Sequence, residues 1–154
     1  MLKKELNDLV TQTGPGTPMG NLFRRYWHPA LLSEQLPGPD CEPVRLELLS
    51  EKMLAFRDTE GKLGLIDEFC AHRGVSLWFG RNEQNGIRCP YHGWTWNNDG
   101  SLASVPCAWD FAHIDPDKTG LPQLRVGHWG GFIFINPSAQ GPSLEEFLSP
   151  LPEH

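Results

Sequence analysis

A chain of 154 residues carrying 13 basic and 19 acidic side chains, net charge −6, suits one domain with a modest core. It shows no basic stripe of the kind that grips nucleic acid and no apolar run long enough to span a bilayer, so neither is expected as a partner. Fourteen prolines and sixteen glycines break the chain into short elements, which favours an all-β domain over a helical bundle.

In chain order, Leu2, Leu6, Leu9 and Val10 fall roughly on one helical face and predict a short N-terminal helix. The basic start Met1-Leu2-Lys3-Lys4 runs into Glu5 and Asn7 rather than an apolar segment, so no secretory signal is read. Residues 11–20, with Gly14-Pro15-Gly16 and Pro18, read as a loop. The aromatic and arginine-rich run 21–29 reads as a segment docked on the β core. His28 within it has no acid or base at a spacing that suggests catalysis. Residues 44–49 and 53–57 predict paired strands turned at 50–52, and a turn at 59–62 leads to a third strand at 63–67. Trp78, Phe79 and Ile87 read as apolar anchors around a polar turn at 81–86. Residues 94–97 predict a strand ending in Asn98-Asp99-Gly100-Ser101, a strong hairpin signal because Asp-Gly tolerates positive dihedrals. Closing strands are expected at 124–126 and 131–136. Ser143 and Glu146 form a capping box before Leu144, Phe147 and Leu148, and the prolines at 150 and 152 interrupt the helix that begins there.

The strongest signal lies in two short loops, Cys70-Ala71-His72-Arg73-Gly74 and Cys89-Pro90-Tyr91-His92-Gly93-Trp94, with 16 residues between His72 and Cys89. Each offers one thiolate and one imidazole. Two cysteines on one iron and two histidines on the other are the ligands of a Rieske-type [2Fe–2S] cluster, so Cys70, His72, Cys89 and His92 are the candidate ligands. Two ferric ions, two sulfides and two thiolates sum to zero charge. A neutral centre takes up an electron more readily than an anionic four-cysteine one, which raises the potential. Zinc on the same four residues is the alternative, although Cys-x-His makes a very tight first pair. Gly74 and Gly93 permit tight turns, Pro90 stiffens the second loop, and backbone N–H groups of such loops can point at sulfide. Arg73, Trp94 and Trp96 either shield the centre or serve as a solvated charge and core packing. Cys41 and Cys107 read as free thiols, the alternatives being a disulfide between them or a further metal site. Thiols beside histidines at ligand spacing favour a reducing compartment and a cytoplasmic location.

The two motifs, together with the run 21–29, resemble the Rieske domain of aromatic-ring-hydroxylating oxygenases of the phthalate dioxygenase type, and the likeness covers most of the chain. Vanillate demethylase and other Rieske monooxygenases share the pattern, which leaves the substrate open. The resemblance implies a single Rieske domain over 1–154: an antiparallel sandwich or partial barrel with a smaller cluster-binding lobe at 68–95. Residues 1–29 would be an N-terminal extension, and 138–154 a tail or the start of a linker to a catalytic domain outside this sequence. It implies Cys70 and Cys89 on the buried iron and His72 and His92 on the outer one. Val75 and Tyr91 stand where Rieske proteins of respiratory and photosynthetic complexes place a disulfide. Trp94 stands where they commonly have a serine that donates to the cluster, so a potential toward the low end of the Rieske range is expected.

By the same resemblance, a reductase or ferredoxin supplies the electron. The electron then passes from His92, with His72 as a second candidate at the exposed edge, to a mononuclear iron held by two histidines and a carboxylate, on a longer chain in a homo-oligomeric ring. After His92 only His113, His128 and His154 remain, and they do not form that pattern. No catalytic residue is therefore assigned, and the chain alone is not expected to activate dioxygen. A stand-alone Rieske ferredoxin is the rival reading, and a structural or regulatory cluster subunit a third. A domain that works against a catalytic partner should expose apolar surface near the N-terminal aromatic run or the Leu144–Phe147 face.

Overall fold

The computed structural model describes residues 3–84, 86–122 and 124–151. Helices α1 (Lys4–Thr11) and α2 (Pro18–Phe23) lead into β1 (His28–Leu32), β2 (Val44–Leu48), β3 (Glu51–Arg57) and β4 (Leu63–Asp67). Then follow β5 (Arg81–Glu83), β6 (Gly86–Arg88), β7 (Thr95–Asn97), β8 (Leu102–Ser104), β9 (Arg125–Trp129), β10 (Phe132–Asn136) and helix α3 (Leu144–Leu148). The strands form three antiparallel sheets, in the orders β1-β10-β9, β2-β3-β4 and β5-β6-β7-β8. The β-rich antiparallel sandwich expected from the sequence is thus present, with short helices at its margins.

Strand alternation explains how the layers stack. Along β3 and β4, Leu54, Phe56 and Ile66 face one core with Leu77, Ile87, Trp94, Trp96 and the buried Cys70 and Cys89. Met53, Ala55 and Leu65 face a second core with Leu31, Leu36, Ile133 and Ile135. Successive strand residues point to opposite faces, so one sheet is buried on both sides and supports a layer on each. A third cluster, Trp27, Phe134 and Leu144, seats α3 on β9 and β10. Gly127 makes that possible, because a Cβ there would lie 2.5 Å from Leu144 Cδ2.

Several elements differ from the sequence reading. The turn joining β2 and β3 is formed by Leu49 and Ser50, both with positive φ (53° and 64°), a two-residue hairpin made without glycine. Arg24 braces it, donating to the carbonyls of Leu49 (3.0 Å) and Thr13 (2.8 Å) and pairing with Glu51. The stretch 81–86 is not a plain turn but part of a hairpin of β5 and β6. Asn82 fixes β5 from afar, its side-chain amide donating to the carbonyls of Cys41 (2.9 Å) and Arg57 (3.0 Å). Of the three expected anchors only Ile87 is buried; Trp78 and Phe79 are exposed. Trp78 instead donates to the Pro43 carbonyl (3.1 Å) and lies 4.3 Å beneath the Arg45 guanidinium.

The loop expected at 11–20 ends in the start of α2, with Thr17 as N-cap and Pro18 in the first turn, a strong start signal. The run 21–29 does dock, Trp27 being buried with its indole N–H on the Pro142 carbonyl, but its end is also the beginning of β1. The closing strand begins at Arg125 and runs on to Trp129. The capping box at Ser143 and Glu146 is formed in both directions. Helix α1 buries none of its residues; of the face expected there, Leu2 lies outside the described residues, as do Pro152 and His154. Leu22, Phe23 and Tyr26 near the N-terminal run are exposed, and so is Phe147 on α3. Both faces named from the sequence therefore present apolar side chains to solvent.

The tightest approach is between β6 and β7, where a Cβ on Gly86 would fall 1.9 Å from the Trp96 carbonyl oxygen. Backbone cannot yield as a side chain can, so Gly86→Ala is expected to cost roughly 1–3 kcal/mol or more. Gly38, with open space around it, should accept alanine within about 0.5 kcal/mol. Urea denaturation of the two variants checks this; equal midpoints would refute the close-packed β6–β7 approach.

Candidate metal centre

The first loop grows from the end of β4, where Glu68 is buried. Its carboxylate accepts from the Ser76 hydroxyl (2.6 Å) and pairs with Arg45 Nε (2.8 Å), while its carbonyl accepts from Leu77 N–H (2.8 Å). A buried carboxylate needs such partners, and here they tie both stems of the loop to β2. Inside the loop, Cys70 N–H donates to the Val75 carbonyl (2.9 Å) and Gly74 N–H returns to the Cys70 carbonyl (2.8 Å). The second loop, leaving β6, repeats the arrangement: Cys89 N–H donates to the Trp94 carbonyl (2.8 Å) and Gly93 N–H to the Cys89 carbonyl (3.1 Å). Gly74 and Gly93 take positive φ, +65° and +72°, a conformation that favours glycine. Two loops far apart in sequence are thus closed by the same pair of hydrogen bonds.

The structure brings all four candidate residues together. Cys70 and Cys89 are buried in the core shared by β3, β4 and β6. His72 is half-buried and His92 exposed, with ring centroids 4.6 Å apart. Trp94 stacks on His72 at 4.4 Å and 7°. Phe111, from the short 3-10 turn Ala108–Phe111, meets both rings edge-on at about 6 Å. Tyr91 packs against His92 at 3.7 Å.

Burial pushes the Cys70 thiol up, and the neighbouring Cys89 adds to this, while the His72 backbone N–H and the Trp96 indole N–H act in the other direction. That indole N–H is buried without a well-formed hydrogen bond. Burial, then the nearby charges of His92 and Arg73, hold the His72 imidazole below its ordinary value, which keeps it in the neutral form a metal ligand requires. His72 Nδ1 is itself buried with no hydrogen-bond partner. Paired thiols inside and paired imidazoles toward the surface suit a two-iron group, whose cationic metals offset the cost of buried thiolate. Among the described residues, no three or more of His, Cys, Asp and Glu converge on a single-ion position. A cluster taking two protein donors per iron uses paired thiols and paired imidazoles of this kind.

Phe111, Glu68 and Arg45 were not singled out in the sequence. Glu68 and Ser76 flank the first motif and are its local signal, whereas nothing near Phe111 announces that its turn folds over the loops. His28 lies elsewhere, in β1, bonded through Nε2 to the Phe23 carbonyl (2.8 Å). His128 sits in β9, and the His113 ring lies 6.3 Å from that of Phe111. Cys41 is half-buried and Cys107 exposed, neither in a disulfide.

The chain is similar to the phthalate 4,5-dioxygenase oxygenase subunit of Pseudomonas putida, 39% identical over 153 residues, covering 97% of this chain and 34% of that one. It is 50% identical over 128 residues to the 3-chlorobenzoate-3,4-dioxygenase oxygenase subunit of Comamonas testosteroni, covering 83% of this chain and 28% of that one. Among solved structures, the quaternary ammonium Rieske monooxygenase CntA in complex with L-carnitine superposes with a TM-score of 0.69 at 28% identity, over 85% of this chain and 37% of that one. The chain therefore spans about a third of the length of these relatives. The Rieske [2Fe-2S] domain model matches residues 26–115, the stretch that holds both loops and the turn over them, and the chain belongs to the Rieske [2Fe-2S] domain family.

Proposed function

We propose that Cys70 and Cys89 hold one iron of the [2Fe–2S] cluster and His72 and His92 the other, within a cluster-binding lobe spanning residues 68–95. The single observation behind this reading is the segregation of donors: two adjacent buried thiols beneath two touching imidazoles, one buried at Nδ1 and one open to solvent. When bound, the cluster accepts and releases one electron. The residues around it hold the two loops in register, through Glu68, Arg45 and the paired cysteine–glycine bonds. They also exclude water from the thiol side, through Trp94, Trp96 and Phe111. His92, exposed, is the edge at which the electron crosses to a partner. Short distance is what that transfer needs, and no general acid or base is assigned.

The chain serves as the electron-accepting domain of a Rieske non-haem iron oxygenase, with a reductase or ferredoxin as its electron donor. A cluster held here would supply electrons to a mononuclear iron site outside these 154 residues, within a homo-oligomeric ring. The relatives named as dioxygenase and monooxygenase oxygenase subunits support this, as do the exposed apolar side chains at Phe23, Tyr26 and Phe147, which suit a covering domain. No helix among the described residues is long and apolar enough to cross a membrane, and a cytoplasmic site of action fits the thiol chemistry.

His92→Cys is expected to retain a cluster and lower its midpoint potential on the order of 100 mV, because an anionic ligand replaces a neutral one. Redox titration followed by electron paramagnetic resonance measures this, and an unchanged potential in a loaded variant would defeat the ligand assignment. Cys70→Ala is expected to abolish the visible cluster absorption and the iron content, and to lower the melting temperature, since metal binding and loop folding are coupled. For the oxygenase reading, an antibody against this 17.3 kDa chain should detect a polypeptide two to three times heavier in native extract of the source cell. A band at the chain's own mass would instead indicate a self-contained carrier.

A further inference from the structure

Both cysteines lie out of reach of solvent, 2% and 3% exposed, so whatever binds between them is admitted past a covering group. Three pieces of chain surround the ligand residues: the two ligand loops and the stretch that follows β8. The loops are fastened at their stems, the first by Glu68, Ser76 and Arg45 and the second by the β6–β7 pairing. The third piece is held differently. Residues 106–118 contain no strand. Among the described residues their polar contacts close locally: Asp110 N–H on the Cys107 carbonyl, Ile114 N–H on Phe111, Lys118 N–H on Asp115. The Asp115 carboxylate likewise takes the Asp117 N–H and pairs with Lys118. Only Phe111 and Ile114 in this stretch are half-buried, both packed on the core that holds the cysteines. The Phe111 ring meets those of His72 and Trp94 at 6.0 and 5.9 Å. Pro106 lies over the second loop, where a Cβ on Gly93 would fall 3.0 Å from its Cγ. Between them Cys107 holds a left-handed backbone, φ 54° and ψ 44°, which residues with a side chain sparsely populate. Beyond the stretch, Leu121 N–H is bonded to the Gly100 carbonyl (2.8 Å) and Gly120 bridges to Ser101. The segment is thus anchored at both ends and lightly tied between them.

We infer that residues 106–118 form a hinged cover latched by Phe111, and that its opening is the port through which a [2Fe–2S] cluster reaches and leaves Cys70 and Cys89. This rests on the ligand assignment proposed above. A stretch with few buried apolar contacts and only local bonds opens at lower cost than the sheets it lies on. Cys107 is the hinge, because opening lets its backbone leave a strained conformation. Trp109 is 78% exposed and adds no tie, which leaves Phe111 as the side chain that joins the cover to the site. Insertion is ligand exchange with no change of oxidation state. A cluster carried on four thiolates of a small-molecule thiol gives them up for two cysteine sulfurs and two imidazole nitrogens. The two cysteine protons go to two of the four departing thiolates. Phe111 takes no part in that exchange; it is a positioning residue that controls access.

The test is the rate of cluster loss, independent of electron transfer. The loaded chain is mixed with excess EDTA, and loss is followed as bleaching of the visible absorption. Phe111→Ala is expected to lose the cluster about tenfold faster than wild type. Phe111→Leu, which keeps part of the apolar contact, should show a smaller acceleration. Local opening exposes little surface, so the rate should hardly change in low urea. Leu144→Ala weakens the separate cluster of Trp27, Phe134 and Leu144; it should lower the urea midpoint and leave the loss rate as it is. Equal acceleration by Leu144→Ala, or a rate that climbs steeply from the first addition of urea, would mean that global unfolding releases the cluster and would overturn the cover. Arg45→Met loosens the first-loop stem instead. If it accelerates loss and the Phe111 variants do not, the port lies at that stem and the assignment is refuted. Should Phe111→Ala fail to fold, the leucine variant and the urea dependence of wild type decide the matter. A chain that binds no iron fails the ligand assignment and the port with it, whereas loaded Phe111 variants with unaltered loss rates fail the port alone.

Discussion

Two thiols buried side by side are the constraint on which this end of the molecule depends. In apolar surroundings a thiolate is costly, and two adjacent thiolates more so. Cys70 and Cys89 nevertheless sit deep in the same core as Leu54, Phe56 and Trp96. Cationic metal turns that arrangement from a penalty into a source of stability, since the same low dielectric that disfavours a lone anion strengthens its attraction to iron. The polar groups nearby are arranged accordingly: the His72 backbone N–H and the Trp96 indole N–H are turned to Cys70, and His72 Nδ1 is left without a protein partner. Buried polar groups without a partner call for an explanation, and for His72 Nδ1 and the Trp96 indole a two-iron group supplies one.

Rigidity reaches the loops through the middle sheet. Because β3 and β4 bury both faces, their positions are fixed by two cores at once, and both cysteines pack directly on one of them. Arg45 then carries the constraint outward. From β2 its guanidinium pairs with Glu68, donates to Ser76 Oγ (3.0 Å) and covers the ring of Trp78. One side chain thereby binds the stem, the close and the following turn of the first loop to the sheet. A second link runs from Asp58, buried at the end of β3, which accepts from the backbone N–H of Glu60 and Lys62 and from the Asn98 side chain. That bond ties the β3–β4 turn to the β7–β8 hairpin, so the cluster-side sheet is fastened at more than one point.

What the sequence disclosed, and what it withheld, follows from the range of the interactions involved. Local chemistry was legible: Cys-x-His and Cys-x-x-His loops, the Asp99-Gly100 hairpin, the Ser143 capping box and the alternating strands at 44–67 all depend on residues a few positions apart. The strand at 81–83 was not legible, because Asn82 is satisfied by the carbonyls of Cys41 and Arg57, 41 and 25 residues away. Trp78 and Phe79 misled for a related reason. Large aromatic side chains next to a metal motif suggest core, yet here they remain at the surface, one engaged by Arg45 and the other open. Phe111 escaped notice because nothing in its own segment distinguishes a turn that folds over two loops from one that faces water. Arg24 is similar: its brace on the Leu49–Ser50 turn spans 25 residues and has no local signature.

One spacing difference in the two motifs accounts for the inequality of the two imidazoles. Both loops close with the same cysteine–glycine hydrogen bonds, so the frames are alike. In the first, a single spacer, Ala71, puts His72 at the third position, where Trp94 stacks on it and Phe111 covers its edge. In the second, two spacers, Pro90 and Tyr91, carry His92 one position further round the turn, and it emerges exposed with Tyr91 against it. The extra residue thus does structural work that neither ligand identity nor burial of the cysteines requires: it separates a sheltered imidazole from an open one. A cluster with two equally exposed histidines would have two competing edges for electron exchange. Here the shorter loop shelters its imidazole under Trp94 and Phe111, and the longer loop presents the other to solvent beside Tyr91.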